Sequence, residues 1–190
     1  SASFWVPGRI ELLGKHTDYA GGRSLICAVD RGIAVVARRR ADATVRVHDA
    51  GLGESVTTEM TAGPSANPGG WAAYPDAVAR RIARNFPGAR SGVELAFASN
   101  LPSAAGMSSS SALIIAIYLA VAWANDLASE PEHLRELSTA ERLAEYLGSI
   151  ESGRDFGSLA GDRGIGTMSG CQDQTAILCG RAGSLVQYAF

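Results

Sequence analysis

Residues 8–22, GRIELLGKHTDYAGG, gather Arg9, Glu11, Lys15, His16 and Asp18 in one short stretch that also carries four glycines. The charged residues alternate with Ile10, Leu12 and Leu13, the pattern of a half-buried strand delivering polar groups to one place. A second stretch, LPSAAGMSSSSAL (101–113), sets four consecutive serines after a turn of small residues and ahead of an apolar run. If that run is a helix, its free backbone N–H groups, the positive end of its dipole and several hydroxyls meet at one point, where a ligand can approach closely. This is the chemistry of an anion site, with phosphate as the common occupant; the alternative is a helix start capped several times over. The stretch lacks the Gly-Lys-Ser/Thr of a Walker loop and the G-x-G-x-x-G of a dinucleotide fingerprint. A third polar group, SGCQDQ (169–174), offers Asp173, either as a working carboxylate or as a helix N-cap followed by glutamine.

The elements that must position these groups can be read from hydrophobic periodicity. FWVPGRIELLG, SLICAVDRGIAVVARR, TVRVHDA and SVTTEMT predict four opening strands, with Gly, Asp and Asn in the turns. TAGPSANPGG (61–70) reads as a loop. From Trp71 to Phe86, Trp71, Tyr74, Val78 and Ile82 recur at helical spacing with arginines on the opposite face, and Pro75 suits the first turn. GVELAFASN returns to a strand, and the serine run then opens a buried helix. Two further helical pieces, near 131–137 and 138–150, place Leu134, Leu137, Leu143 and Leu147 at helical intervals. A polar, glycine-rich stretch, ESGRDFGSLAGDRGIG, interrupts before GCQDQTAILCG and a final strand, SLVQYAF. There is no internal repeat. The apolar strand at the end, without a polar tail, suggests a longer protein divided at a domain boundary.

Composition excludes several function classes. With 190 residues, 46% hydrophobic and 19% charged, the chain is an ordinary globular one. A net charge of −2 gives no reason to expect nucleic acid, and the RRR at 38–40 reads as a solvated strand end. Cys27, Cys171 and Cys179 lack paired spacing, so neither a disulfide framework nor a zinc site is expected, and a reducing, cytoplasmic setting fits. The N-terminus does not read as a signal peptide. The longest apolar run, 112–124, falls short of the about 18–20 residues that span a bilayer, so no membrane partner is expected.

Taken in order, PGRIELLGKHTDYAGG, LPSAAGMSSSSAL and SGCQDQ resemble the GHMP small-molecule kinases, named for galactokinase, homoserine kinase, mevalonate kinase and phosphomevalonate kinase. The first motif looks most like that of galactokinases, which carry Gly-Arg-x-Asn-Leu-Ile-Gly-Glu-His-Thr-Asp-Tyr. SGCQDQ stands where they have Cys-Gly-x-x-Asp-Gln, and WAAY (71–74) matches their Trp-x-x-Tyr more weakly. The resemblance implies an α+β GHMP-kinase N-terminal domain over 1–190. That domain has a ribosomal-protein-like fold: a mixed sheet, helices on one face and a left-handed β-α-β crossover, which departs from the usual right-handed rule. The C-terminal domain of the family, with its own Gly-rich motif, is absent from these residues.

The resemblance further implies an ATP-dependent sugar kinase using Mg²⁺. Asp173 would accept the proton of the sugar hydroxyl, with Arg9 beside it favouring the ionised carboxylate. His16, Asp18, Tyr19 and Gly170 would surround a small sugar. The phosphates would lie over Ala104, Ala105, Gly106, Met107, Ser108, Ser109, Ser110 and Ser111, and Trp71 would stack on adenine, unless it is a core tryptophan. Ser110 and Glu151 would hold the metal, with Asp162, better spaced but in a loop, as the alternative. Three departures stand out. Ser103-Ala104-Ala105 lacks a glycine common in the family, Glu11 replaces its asparagine, and Lys15 replaces its glutamate. A lysine has donors but no acceptor, so an acidic relative of galactose such as a uronic acid is implied, unless Lys15 points away. The rival readings are a galactokinase-like sensor that binds ATP and sugar without turnover, and a kinase of a non-sugar alcohol.

Overall fold

The computed structural model describes residues 1–63, 69–102, 105–167 and 170–190. Part of the 61–70 loop, together with Ala104 of the expected phosphate loop and the first serine of SGCQDQ, lies outside the described residues. The four opening strands are β1 (Ala2–Leu13), β2 (Arg23–Arg39), β3 (Thr44–Asp49) and β4 (Glu54–Glu59). After them come α1 (Ala73–Asn85), β5 (Val93–Ser99), α2 (Ser109–Ala124), α3 (Pro131–Glu136), α4 (Ala140–Ser152), α5 (Gln172–Cys179) and β6 (Val186–Ala189).

The sheet runs β1-β2-β5-β3-β4, with β6 pairing the start of β2. All neighbours are antiparallel except β3 and β5, which are parallel, so the sheet is mixed. Parallel neighbours cannot be joined by a tight turn, and here the connection runs through β4 and α1. Val6, Ile33, Val35, Val45, Val47, Leu95 and Phe97 are buried on the face that the helices cover, whereas Trp5 and Val36 on the other face are exposed. α2 is apolar nearly all round because it packs on β1, β2 and β5 and is itself covered by α1, α4 and α5. Among the described residues no helix is long and apolar enough to cross a membrane.

The periodicity fails in two places. Arg80 and Arg81, expected on the solvated face of α1, are buried, because α4 and the segment after it pack over that face. Arg81 donates to Asn85 Oδ1 at 2.8 Å, Ser149 Oγ at 3.0 Å and the carbonyl of Arg154 at 2.7 Å, and its guanidinium lies 5.4 Å from the Tyr146 ring centre. These bonds satisfy Nε and Nη2 of the buried guanidinium, while Nη1 has no partner among the described residues. Leu134, one of the leucines at helical intervals, is exposed because α3 is a single short helix at the surface.

α4 and α5 pack closely at Gly148, where a Cβ would lie 2.7 Å from the Gly170 carbonyl oxygen and 2.9 Å from Cys171 Cα. Alanine in a helix interior normally gains about 1 kcal/mol over glycine. Overpacking against backbone costs about 1–3 kcal/mol and wins here. Gly148→Ala is therefore expected to lower stability by about 1 kcal/mol and the melting temperature by about 2–4 °C in a thermal denaturation series; a rise would mean that α5 yields freely.

Candidate active site

Three segments far apart in the chain meet at Asp173, in the first turn of α5. Arg9 Nε donates to Asp173 Oδ1 at 2.7 Å and Arg9 Nη2 lies 2.6 Å from the same oxygen. Ser108 Oγ donates to Oδ2 at 2.5 Å, and Ser111 Oγ lies 3.5 Å from it. Asp173 is thus not the helix N-cap, a position that Cys171 holds; its side chain looks outward to β1 and α2. Arg9 reaches it because the β1–β2 register shifts between Pro7 and Arg9, an irregularity of the kind that re-aims a side chain. The third donor of the same guanidinium, Nη1, bonds the Gly106 carbonyl at 2.7 Å, and the Arg9 N–H bonds the Met107 carbonyl at 3.2 Å. One residue therefore fixes both the carboxylate and the glycine turn ahead of α2.

At the start of α2 the serine run does not cap the helix in the usual way. Ser108, the N-cap, adopts a left-handed conformation (φ 55°, ψ 47°) and its side chain makes no cap hydrogen bond, being spent on Asp173. The first amides of α2 thus keep the open, positive end expected of an anion site. Ser109 is exposed, Ser110 half-buried and Ser111 buried. Beside this point a cavity of about 480 Å³ is lined by Ser109, Ser110, Trp71, Tyr74, Phe97 and Leu52, among others. Trp71 is half-buried, meets Phe97 edge to face and donates its indole N–H to Glu54 Oε2 at 3.0 Å, so one face packs on the core while the residue still lines the cavity.

On the other side of Asp173 lies a smaller, more enclosed cavity of about 200 Å³, lined by Arg9, Asp173, Asp18, Tyr19, Lys15 and Glu151, with His16, Glu11 and Gly170 on the same wall. The KHTDY segment is held in a tight turn: Thr17 and Ser24 hydroxyls both donate to the Gly14 carbonyl at 2.8 Å. His16 has a left-handed backbone (φ 59°) and stacks on Tyr19 with ring centres 5.7 Å apart. Burial, reinforced by the charge of Asp18, raises the Tyr19 phenol above its ordinary value. Asp18 Oδ2 accepts from the Gln172 N–H at 3.1 Å, while Asp18 Oδ1 is buried with no partner among the described residues. Gly170 permits this, since a Cβ there would lie 1.8 Å from Asp18 Oδ2. Lys15 is exposed but lines the cavity, with no ion-pair partner among the described residues. Cys171 sits at the edge of the site, but burial pushes its thiol up to about 11, which makes it a poor nucleophile at neutral pH.

Glu151, near the end of α4, is 5% exposed and accepts from Gln174 Nε2 at 2.8 Å. It lines the smaller cavity while Ser110 lines the larger one together with Tyr74, whose phenol is raised above its ordinary value by burial and by the charge of Glu151. Asp162 is committed elsewhere: Oδ2 lies 2.8 Å from Arg80 Nε, and Oδ1 accepts from the Gly164 N–H at 2.8 Å. Sequence reasoning missed Gln172, Gln174 and Tyr74. The glutamines flank Asp173 directly, and on a helix such neighbours point to either side of it, one N–H serving Asp18 and one side chain serving Glu151. That flanking was the available signal.

Comparison with known proteins now bears on this geometry. Residues 2–39 match the galactokinase galactose-binding signature, and residues 73–181 match the GHMP kinases N terminal domain. A galactokinase of Actinobacillus pleuropneumoniae serotype 3 is 32% identical over 141 residues, covering 74% of this chain and 36% of the relative. One from Exiguobacterium sibiricum is 29% identical over 188 residues, covering 95% and 42% respectively. The chain spans less than half the length of these curated relatives. In fold it resembles Lactococcus lactis galactokinase, solved with galactose, at a TM-score of 0.75 and 24% identity over 98% of this chain and 44% of that one. It also resembles Methanococcus jannaschii mevalonate kinase, at 0.72 and 14% identity over 99% and 53%. An α+β domain with a mixed sheet and one helical face, matched over most of its helical half, leads to one conclusion: the chain belongs to the GHMP kinases, in the form of their N-terminal domain.

Proposed function

We propose that the whole protein containing this chain is an ATP-dependent, galactokinase-like sugar kinase, transferring the γ-phosphoryl group to a monosaccharide hydroxyl, the anomeric C1 hydroxyl. The observation that carries this reading is the Asp173 carboxylate, held by Arg9 and Ser108 between an enclosed polar cavity and the open start of α2. In the reaction the sugar sits in the smaller cavity and Asp173 takes the proton of its attacking hydroxyl. The sugar oxygen bonds to the γ-phosphorus as the bond to the bridging oxygen breaks, and ADP leaves. Because such transfers pass through a loose transition state, positioning and charge matter most, and the Arg9 guanidinium supplies both. The amides and hydroxyls of 105–111 cradle the phosphates, and Trp71 borders the adenine.

Two oxygen donors, the Ser110 hydroxyl and the Glu151 carboxylate, suit a hard cation, and the buried Gln174 bonded to Glu151 keeps an Oε1 with no partner among the described residues. These two residues would hold Mg²⁺, which when bound neutralises charge on the transferring phosphates. Asp18 Oδ1, a buried acceptor without a donor among the described residues, receives sugar hydroxyls. Galactose is the ligand in the Lactococcus lactis structure, and an acidic relative is the finer reading here, because Lys15 lines the cavity as a donor-only cation.

The full-length protein is expected to consume ATP with one of galactose, arabinose, galacturonate or glucuronate and not with mevalonate. Asp173→Asn should lower kcat by about 10²-fold or more. Binding of ATP and sugar without turnover would instead make it a sensor. Gly170→Ala, by displacing Asp18, is expected to weaken sugar binding about tenfold or more in calorimetric titration, the scale of one charged hydrogen bond; unchanged affinity would remove Asp18 from the sugar site. Lys15→Glu should reverse the ratio of kcat/KM between galacturonate and galactose, and an unmoved ratio would make the sugar neutral and Lys15 a bystander.

A further inference from the structure

Arg80, in the middle of α1, is 6% exposed and bridges two carboxylates. It pairs with Asp76, one turn earlier on the same helix, and its Nε lies 2.8 Å from Asp162 Oδ2 in the segment after α4. That segment is folded back on the end of α4. The Asp162 N–H donates to the Gly153 carbonyl at 2.9 Å, Asp162 Oδ1 accepts from the Gly164 N–H, and the Ile165 N–H donates to the Glu151 carbonyl at 3.0 Å. The fit leaves no room for side chains: a Cβ on Gly164 would lie 2.4 Å from the Glu151 carbonyl oxygen, and one on Gly153 would lie 2.5 Å from that of Asp162.

One ion pair, Arg80–Asp162, and three hydrogen bonds, two of them between backbone groups, therefore tie the residue carrying the Glu151 carboxylate to α1. The same helix carries Tyr74 at its start, beside Ser110. A buried ion pair of this kind is no more stabilising than an apolar pair of equal size, because desolvation offsets the attraction. What a guanidinium adds is direction, since its planar fork holds two carboxylates at set angles.

We infer that Arg80 and Asp162 are positioning residues for the cation site of Ser110 and Glu151, setting its metal affinity without touching metal or substrate. This rests on the reading of Glu151 given above. It also gives Asp162 a different task from ligation.

The test uses Mn²⁺ as the probe, titrated into the full-length protein with a non-hydrolysable ATP analogue and followed by electron paramagnetic resonance of the free ion. Asp162→Asn is the main variant, because Arg80 keeps Asp76 and no unpaired buried charge is left behind; Arg80→Lys keeps the charge but loses the fork. Each is expected to weaken Mn²⁺ binding about tenfold while sugar affinity moves less than about twofold, and excess Mn²⁺ should restore kcat. Unchanged Mn²⁺ affinity in Asp162→Asn, with or without a lower melting temperature, would overturn the inference and leave the pair a stability device. Glu151→Gln separates the two failures. If it too leaves Mn²⁺ affinity at the wild-type value, the metal reading of Glu151 falls and this inference with it; if it weakens binding while Asp162→Asn does not, only the inference falls.

Discussion

The Arg9–Asp173 pair is the constraint on which the site depends. Its partners are 164 residues apart in the chain, and Ser108, the third member, lies 65 residues from Asp173. The pair is partly exposed, with 15% and 31% of the two side chains accessible, so its net contribution to stability is small. Its importance is geometric. Both Nε and Nη2 address one oxygen of the carboxylate, Ser108 takes the other, and Nη1 reaches the Gly106 carbonyl, so two carboxylate oxygens and a loop are set by few atoms. Stability comes instead from the apolar layer between sheet and helices, where α2 is buried almost throughout its length.

That division of labour explains the unusual start of α2. A serine at an N-cap ordinarily bonds its own helix. Ser108 instead takes up a left-handed backbone and turns its hydroxyl to another element, a local conflict of the sort found where a fold gives up a rule for a site. The helix tolerates the missing cap because packing on both sides, and not capping, holds it in place. The same logic applies at Gly170, where a side chain is forgone so that Asp18 can approach α5.

Much of this was legible in the chain. Alternation along Ala2–Leu13 and Arg23–Arg39, the helical spacing of Tyr74, Val78 and Ile82, and the all-apolar 112–124 run each report one element and its buried face. The three polar motifs announced themselves because charged and glycine-rich residues interrupt those patterns. What could not be read was pairing at a distance. Arg80 and Arg81 look like surface residues until α4 covers them, because periodicity measures one element at a time and knows nothing of the layer above. The partners of Glu151 and Asp162 were likewise closed to spacing alone: one carboxylate lies near a helix end beside Gln174, the other is paired with Arg80, and only the folded chain brings those groups together.

The unpartnered oxygen of Asp18 has a meaning of its own. A buried acceptor left without a proton donor costs about 1–3 kcal/mol, and among the described residues Asp18 Oδ1 has none. A guest that offers a hydroxyl there recovers that cost, whereas one that is merely the right shape leaves it standing. On the sugar-binding role proposed for Asp18, selection at this wall would work through absence: a deoxy compound lacking that hydroxyl, though it fits the cavity, would be turned away by the silence of one oxygen.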